Sequence, residues 1–187
     1  MNLIGYHGTS AENESSIVSG NFNVSANDDE WLGTGAYFFI DGVSCPKENA
    51  EKWAIFRSRG GISYKRYSVL SVDLSLSSPL DLDTDEGANV FCKYRDALLE
   101  KMKDEGLKPS RKLMENDCKV CNVILETTEV DAIIRKEYIQ LDTLLRGHLS
   151  RVPNCRIISV KNPDTSVSNI RACSKGEIWI RQFMIWC

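Results

Sequence analysis

Apolar and polar positions follow two periods along this chain, and the changes between them mark its elements. "NLIGYHG", residues 2–8, is a short apolar strand running into a glycine turn. "SAENESSIVSG", residues 10–20, predicts a helix, with Ser10 as its cap, Glu14 complementing the N-terminal dipole and Gly20 stopping it. "GAYFFI", 35–40, predicts a second strand. "CPKENAEKWAIFRS", 45–58, predicts a second helix, with Pro46 in its first turn and Ala50, Trp53, Ala54 and Phe56 toward one side. In "YSVLSVDLSL", 67–76, valines, leucines and serines nearly alternate, which predicts a third strand.

The middle of the chain changes character. "SSPLDLDTDEG", 77–87, reads as a polar turn region, too acidic for a core. Val90, Phe91, Tyr94, Leu98 and Met102 then recur at threes and fours, and "SRKLMENDCKVCNVIL", 110–125, continues the helical pattern. Val130, Ile133, Ile134, Tyr138, Leu141, Leu145 and Leu149 give helix spacing over 129–149, although "DAII" by itself also fits a strand. Strands return at "CRIISV", 155–160, and "EIWIRQFMIW", 177–186. No repeat or long linker interrupts the pattern. The expectation is one α+β domain over 1–187, with strands at both ends and a helical insertion at about 85–150.

Composition narrows the class. With 187 residues, 42% hydrophobic and 26% charged, the chain is long enough to bury a core of its own. No run approaches the roughly 18 apolar residues of a membrane span. No basic segment followed by a long apolar one opens it, so the expected setting is cytoplasmic, without a membrane. The seven cysteines are then expected as reduced thiols. Cys118 and Cys121 in "DCKVC" have metal-ligand spacing, but no second pair matches them, so they read as two thiols on a helix face and no metal is expected. A net charge of −3 does not mark the whole molecule as nucleic-acid binding. Locally, "FRSRGGISYKRY" gathers Arg57, Arg59, Lys65 and Arg66 with Tyr64 and Tyr67 among them. That stretch fits a solvated loop, and it also fits a contact surface for an anionic partner such as RNA or DNA.

Two glycine-rich clusters carry the candidate chemistry. "GYHGTS", 5–10, holds His7, one of only two histidines; His148 is the other. "WLGTGAYFF", 31–39, holds Tyr37. Taken singly, His7 fits a core histidine bonded to the backbone, and Tyr37 fits a strand aromatic. Together the clusters suit a flat, polar heteroaromatic ligand. Gly8 lets a ligand approach the backbone, Thr9 adds a hydroxyl, and Gly33 and Gly35 bend the chain ahead of an aromatic strand. An aromatic face, backbone amides and an imidazole fit nicotinamide joined to ribose.

"YHGTS", "SSIVSGNFNVS" and "WLGTGAYFF", in that order and spacing over roughly residues 4 to 56, resemble the N-terminal half of poly(ADP-ribose) polymerase-like ADP-ribosyltransferases. "NAEKWA" also resembles the small-residue helix that follows in bacterial members. The resemblance implies a split β-sheet core with helices, NAD+ as co-substrate, and no metal. It implies that His7 holds the adenosine ribose, that the Gly8 backbone bonds the nicotinamide carboxamide with Thr9 assisting, and that Tyr37 stacks on the nicotinamide ring. Trp53 would be the second stacking aromatic.

The family places a glutamate on a later strand, and three positions compete for that place. "RIISVKNPDTSVSNI", 156–170, has the strand-then-turn shape and puts Ile157 there, as some mono-ADP-ribosyltransferases do. "GEIWIR" offers Glu177, chemically the better group, and "KEYIQLD" offers Glu137 in a helical setting. Motif shape favours Ile157 and chemistry favours Glu177. Isoleucine there would argue against long ADP-ribose chains, and "KGE" in place of an E-x-E pair argues against an arginine acceptor.

The expected function is therefore mono-ADP-ribosyl transfer to a protein or nucleic-acid acceptor. Enzymes of this size and type resemble bacterial toxins and phage-defence effectors, which implies a neutralising antitoxin partner by analogy. Two other readings stay open: an RNA 2′-phosphotransferase, which shares Y-H-G-T, with His148 as its only spare histidine, and a binding module for NAD+ or ADP-ribose without catalysis.

Overall fold

A computed structural model describes residues 1–59, 63–141 and 150–178. Its strands are β1 (Asn2–Ser10), β2 (Ala36–Ile40), β3 (Arg66–Ser75), β4 (Pro79–Asp81), β5 (Ala132–Glu137), β6 (Cys155–Val160) and β7 (Val167–Glu177). Its helices are α1 (Glu14–Gly20), α2 (Pro46–Arg57), α3 (Asp85–Asp104), α4 (Leu113–Thr127) and α5 (Pro163–Ser166), with a 3₁₀ turn at Ala11–Asn13. The chain is thus α+β, built on one seven-stranded sheet in the order β4-β5-β6-β2-β1-β3-β7. Among the described strands only β4 and β5 run parallel; the other neighbours are antiparallel. Among the described residues no helix is long and apolar enough to cross a membrane.

Strand alternation gives the sheet two apolar faces. Ala36, Phe38 and Ile40 of β2 join Leu70, Val72, Leu74, Ile134 and Ile158 on one face, where Phe22 is buried and Ile17 of α1 packs. Phe39, Val69, Ile133 and Ile157 point to the other face and meet Ala50 and Ala54 of α2 and Cys121 and Leu125 of α4. Burying both faces takes these apolar side chains out of water, and this drives the fold.

The seam between β1 and β2 is the feature that makes a site. β1 pairs with β3 along its whole length, from Asn2–Ser75 to Ser10–Tyr67. Against β2 it keeps a single registered pair, Tyr6–Phe39. Beyond that pair the two strands part, and the sheet opens between two well-paired halves.

Several elements differ from the sequence reading. The 77–87 stretch contains β4, a three-residue strand whose first position is Pro79, where a missing N–H costs no ladder bond. The predicted helix over 129–149 is β5 instead, over Ala132–Glu137, so the helical middle ends at Thr127. Ala132, Ile133 and Ile134 are all buried because β5 is covered on both faces, and a continuous apolar run carries no strand alternation. Residues 142–149, including His148, lie outside the described residues. A strand the sequence reading did not separate, β7, runs over Val167–Glu177; mostly exposed, it has no apolar stripe to betray it. Residues 179–186 of the expected strand lie outside the described residues. Finally, Ser10 ends β1 and its side chain makes no capping bond. Glu14 accepts hydrogen bonds from Ser68 Oγ at 2.8 Å and Lys175 Nζ at 2.7 Å, which ties α1 to the sheet.

Candidate functional site

The opened seam leads into a cleft of about 550 Å³, lined from β1 by His7, Gly8 and Thr9, from β2 by Tyr37, and from α2 by Trp53 and Arg57. A hairpin closed by paired hydrogen bonds between Ser25 and Gly35, 3.0 Å each way, adds Glu30 and Trp31. The volume lies in the range of small-molecule sites.

His7 is packed on one side and open on the other. Its ring meets Phe22 and Phe38 edge-on, at 5.0 and 6.0 Å between centroids, and keeps part of its surface at the cleft. Its Nδ1 lies 2.9 Å from the Tyr37 carbonyl, across the gap where the strands part. A carbonyl only accepts, so Nδ1 carries the proton and Nε2 is left as an acceptor. Burial pushes the imidazole pKa below its usual value, and the bond to the Tyr37 carbonyl offsets this in part. His7 is therefore a neutral acceptor suited to a hydroxyl such as that of a sugar.

Gly8 has a second duty that sequence did not reveal. A Cβ there would lie 1.8 Å from the Ala50 carbonyl oxygen and 3.1 Å from the Ala54 Cβ. Glycine on the strand and alanines on the helix let α2 sit against β1, and this carries Trp53 to the cleft. Thr9 is nearly buried, and its hydroxyl accepts from Asn13 Nδ2 at 3.4 Å.

Tyr37 is fixed at its far end. Its hydroxyl donates to the Gly33 carbonyl at 2.6 Å and accepts from the Leu32 amide at 2.8 Å. Burial raises its pKa, so it is a neutral phenol that holds the hairpin. Gly33 has a left-handed φ of 77° and packs on α4, where Asn122 Oδ1 accepts from Thr34 N at 2.6 Å. Cys118 and Cys121 are buried beneath this loop, and Cys118 Sγ contacts the Asn27 carbonyl at 3.5 Å. Among the described residues no cluster of three metal-ligating side chains occurs.

Trp31 is the residue that sequence reasoning missed. Its ring meets Tyr37 at 6.2 Å and Trp53 at 5.4 Å, edge-on to both. The Trp53 ring in turn stacks on Phe56 at 5.8 Å, with the Arg57 guanidinium carbon 5.6 Å from its centroid. Behind these rings only about 30 Å³ remains, lined by His7, Gly8, Tyr37, Trp53 and Ile157 among others. That is room for one water. The signal for Trp31 lay at the start of "WLGTGAYFF", but nothing in the spacing told which way the indole points.

The three candidates for the third position part company. Ile157 sits on β6 opposite Phe39, 2% exposed, and lines the small lobe with His7 and Tyr37. Glu177 lies at the end of β7, in a separate cleft of about 420 Å³ with Glu14, Arg66 and Lys175. Glu137 ends β5, pairs with Arg135 at 3.2 Å and does not line the His7 cleft.

The basic stretch does not converge either. Arg57 lines the His7 cleft, while Arg66 lines the other cleft and meets Glu12 at 3.8 Å. Arg59 and Lys65 are exposed, Tyr64 donates to the Ala54 carbonyl, and residues 60–62 lie outside the described residues. No family model matches the chain, and no curated protein matches it in sequence.

Proposed function

We propose that this protein is a mono-ADP-ribosyltransferase that takes NAD+ as co-substrate and modifies a macromolecular acceptor. The observation that carries the reading is the meeting of His7, Gly8, Tyr37 and Trp53 at one cleft, with Ile157 in the small lobe behind it, from four elements distant in sequence. The parted β1–β2 seam supports the ADP-ribosyltransferase-like reading of the fold.

In the reaction, the bond between the ribose C1′ and the nicotinamide nitrogen breaks, and its electron pair leaves with nicotinamide. A nucleophile on the acceptor then bonds C1′ and releases its proton. The enzyme must hold both ends of the dinucleotide and steady the positive charge that develops on the ribose. His7 Nε2 accepts from a ribose hydroxyl of the adenosine half. Arg57 faces the pyrophosphate. Tyr37 and Trp53 offer faces to the nicotinamide ring, and the ring enters only when Trp31 swings out from between them. With Ile157 in the third position, the site favours a single transfer over chain growth, and the acceptor brings its own base. A toxin or defence effector of this kind acts with a neutralising partner protein.

The test supplies NAD+ labelled in the adenylate with cell lysate and follows label into the protein and nucleic-acid fractions. Wild type should transfer label and release nicotinamide; His7→Ala and Tyr37→Ala should lose at least 10-fold in rate, about 1.4 kcal/mol per tenfold. Binding without nicotinamide release would assign a non-catalytic module instead. Release that requires 2′-phosphorylated RNA would assign a phosphotransferase. Transfer untouched by both substitutions would remove the site.

A further inference from the structure

We propose that Glu30 is the catalytic carboxylate of this cleft, facing the nicotinamide–ribose end of the dinucleotide where Ile157 on β6 offers no polar group. The proposal rests on the NAD+ reading above. Glu30 lies at the cleft beside Trp31, on the hairpin that Tyr37 anchors. Its Oε1 accepts from Asn27 Nδ2 at 2.8 Å and from Ser25 Oγ. Both bonds land on one oxygen, so the carboxylate is oriented while Oε2 keeps its lone pairs for a substrate hydroxyl. Its charge reaches Tyr37: it is among the influences that raise the phenol pKa, after burial.

The charges along the cleft suit the two halves of the ligand. Arg57 is the cation beside Trp53, matched to a pyrophosphate. Glu30 and Asp29 are the carboxylates, and the ionised end of NAD+ is a cationic pyridinium whose charge passes to the ribose as the bond breaks. A fixed negative group there stabilises the transition state more than the ground state, since the charge moves toward it and water is partly excluded. Asp29 lies exposed at the hairpin tip without such a tether among the described residues, and Glu177 and Glu137 stand away from the cleft.

The alternative is that Glu30 only ties the hairpin together. E30Q separates the two, because an amide oxygen still accepts from Ser25 and Asn27 while the charge is gone. With the full chain and NAD+ as probe, E30Q should bind NAD+ within about threefold of wild type and release nicotinamide about 100-fold more slowly in kcat. E177Q, in the separate cleft, should stay within about twofold. Wild-type kcat in E30Q, or a loss no larger than that of E177Q, overturns the proposal and leaves the NAD+ reading standing. If E30Q also lowers Tm, N122A decides, since it releases the hairpin at Thr34 N and leaves Glu30, Ser25 and Asn27 untouched: kcat retained in N122A supports the charge role, and equal losses in both overturn it. A wild-type protein that does not release nicotinamide sinks the transferase reading and Glu30 with it.

Discussion

Gly8→Ala is the sharpest test of how the cleft is built. The added Cβ would lie 1.8 Å from the Ala50 carbonyl oxygen, where carbon and oxygen normally stay about 3.3 Å apart, so β1 and α2 must separate by about 1.5 Å. No rotamer relieves this, because the opposing atom is backbone inside a helix. Overpacking of a core costs about 1–3 kcal/mol, and a backbone clash belongs at the upper end. For a chain of this length 3 kcal/mol corresponds to a Tm drop of about 6–12 °C. Thermal unfolding followed by circular dichroism at 222 nm reads it directly. Gly20→Ala is the control: nothing lies within 4 Å of a Cβ there, so Tm should hold or rise slightly. Adding Ala54→Gly to Gly8→Ala should not rescue Tm, since it removes only the 3.1 Å side-chain contact and leaves the carbonyl in place. A Gly8→Ala protein with wild-type Tm and lost NAD+ affinity would refute the packing argument and return the glycine to the ligand.

Two further outcomes follow from the hydrogen bonds around the cleft. Tyr37→Phe leaves the buried Leu32 amide and the Gly33 carbonyl without their partner, at a cost of about 1–3 kcal/mol; faster amide exchange at Leu32 and a lower urea midpoint are expected, and unchanged exchange would show that the hairpin is held elsewhere. His7 has a folded-state pKa below its unfolded value, so both states are neutral above about pH 7 and the unfolded state takes up the proton first as pH falls below about 6.5. Stability should therefore be flat above that point and fall below it, by at most about 1.4 kcal/mol per pH unit, with a shallower slope in His7→Gln. Equal slopes in the two proteins over pH 7 to 5.5 would contradict a buried neutral imidazole.

The elements that sequence fixed well are those with a clean local pattern. β1, β2, β3 and β6 are apolar or alternating runs, and α2 begins at Pro46 as its first-turn proline demands. The elements that escaped are those whose pattern depends on neighbours. β5 is covered on both faces and reads like a helix; β4 and β7 lie at the sheet edges, one only three residues long and the other polar. The same holds for the candidate site. His7 and Tyr37 stood out because glycine, histidine and aromatic residues cluster locally. Trp31 and Glu30 reach the cleft only because the 25–35 hairpin folds back and Tyr37 holds it.

What the chain's own order determined, then, is which short segments become strands and helices, and that an imidazole and a phenol sit beside glycines near its start. What tertiary structure decided is company. Strand order set β6 beside β2 and β7 beyond β3, which put Ile157 in the small lobe behind the His7 cleft and Glu177 in a separate cleft. Helix packing gave Gly8 its need to be glycine. The reason is physical: local pattern fixes dihedral angles and which face is apolar, whereas contacts across the sheet depend on which surfaces bury together, and no window of sequence contains both partners.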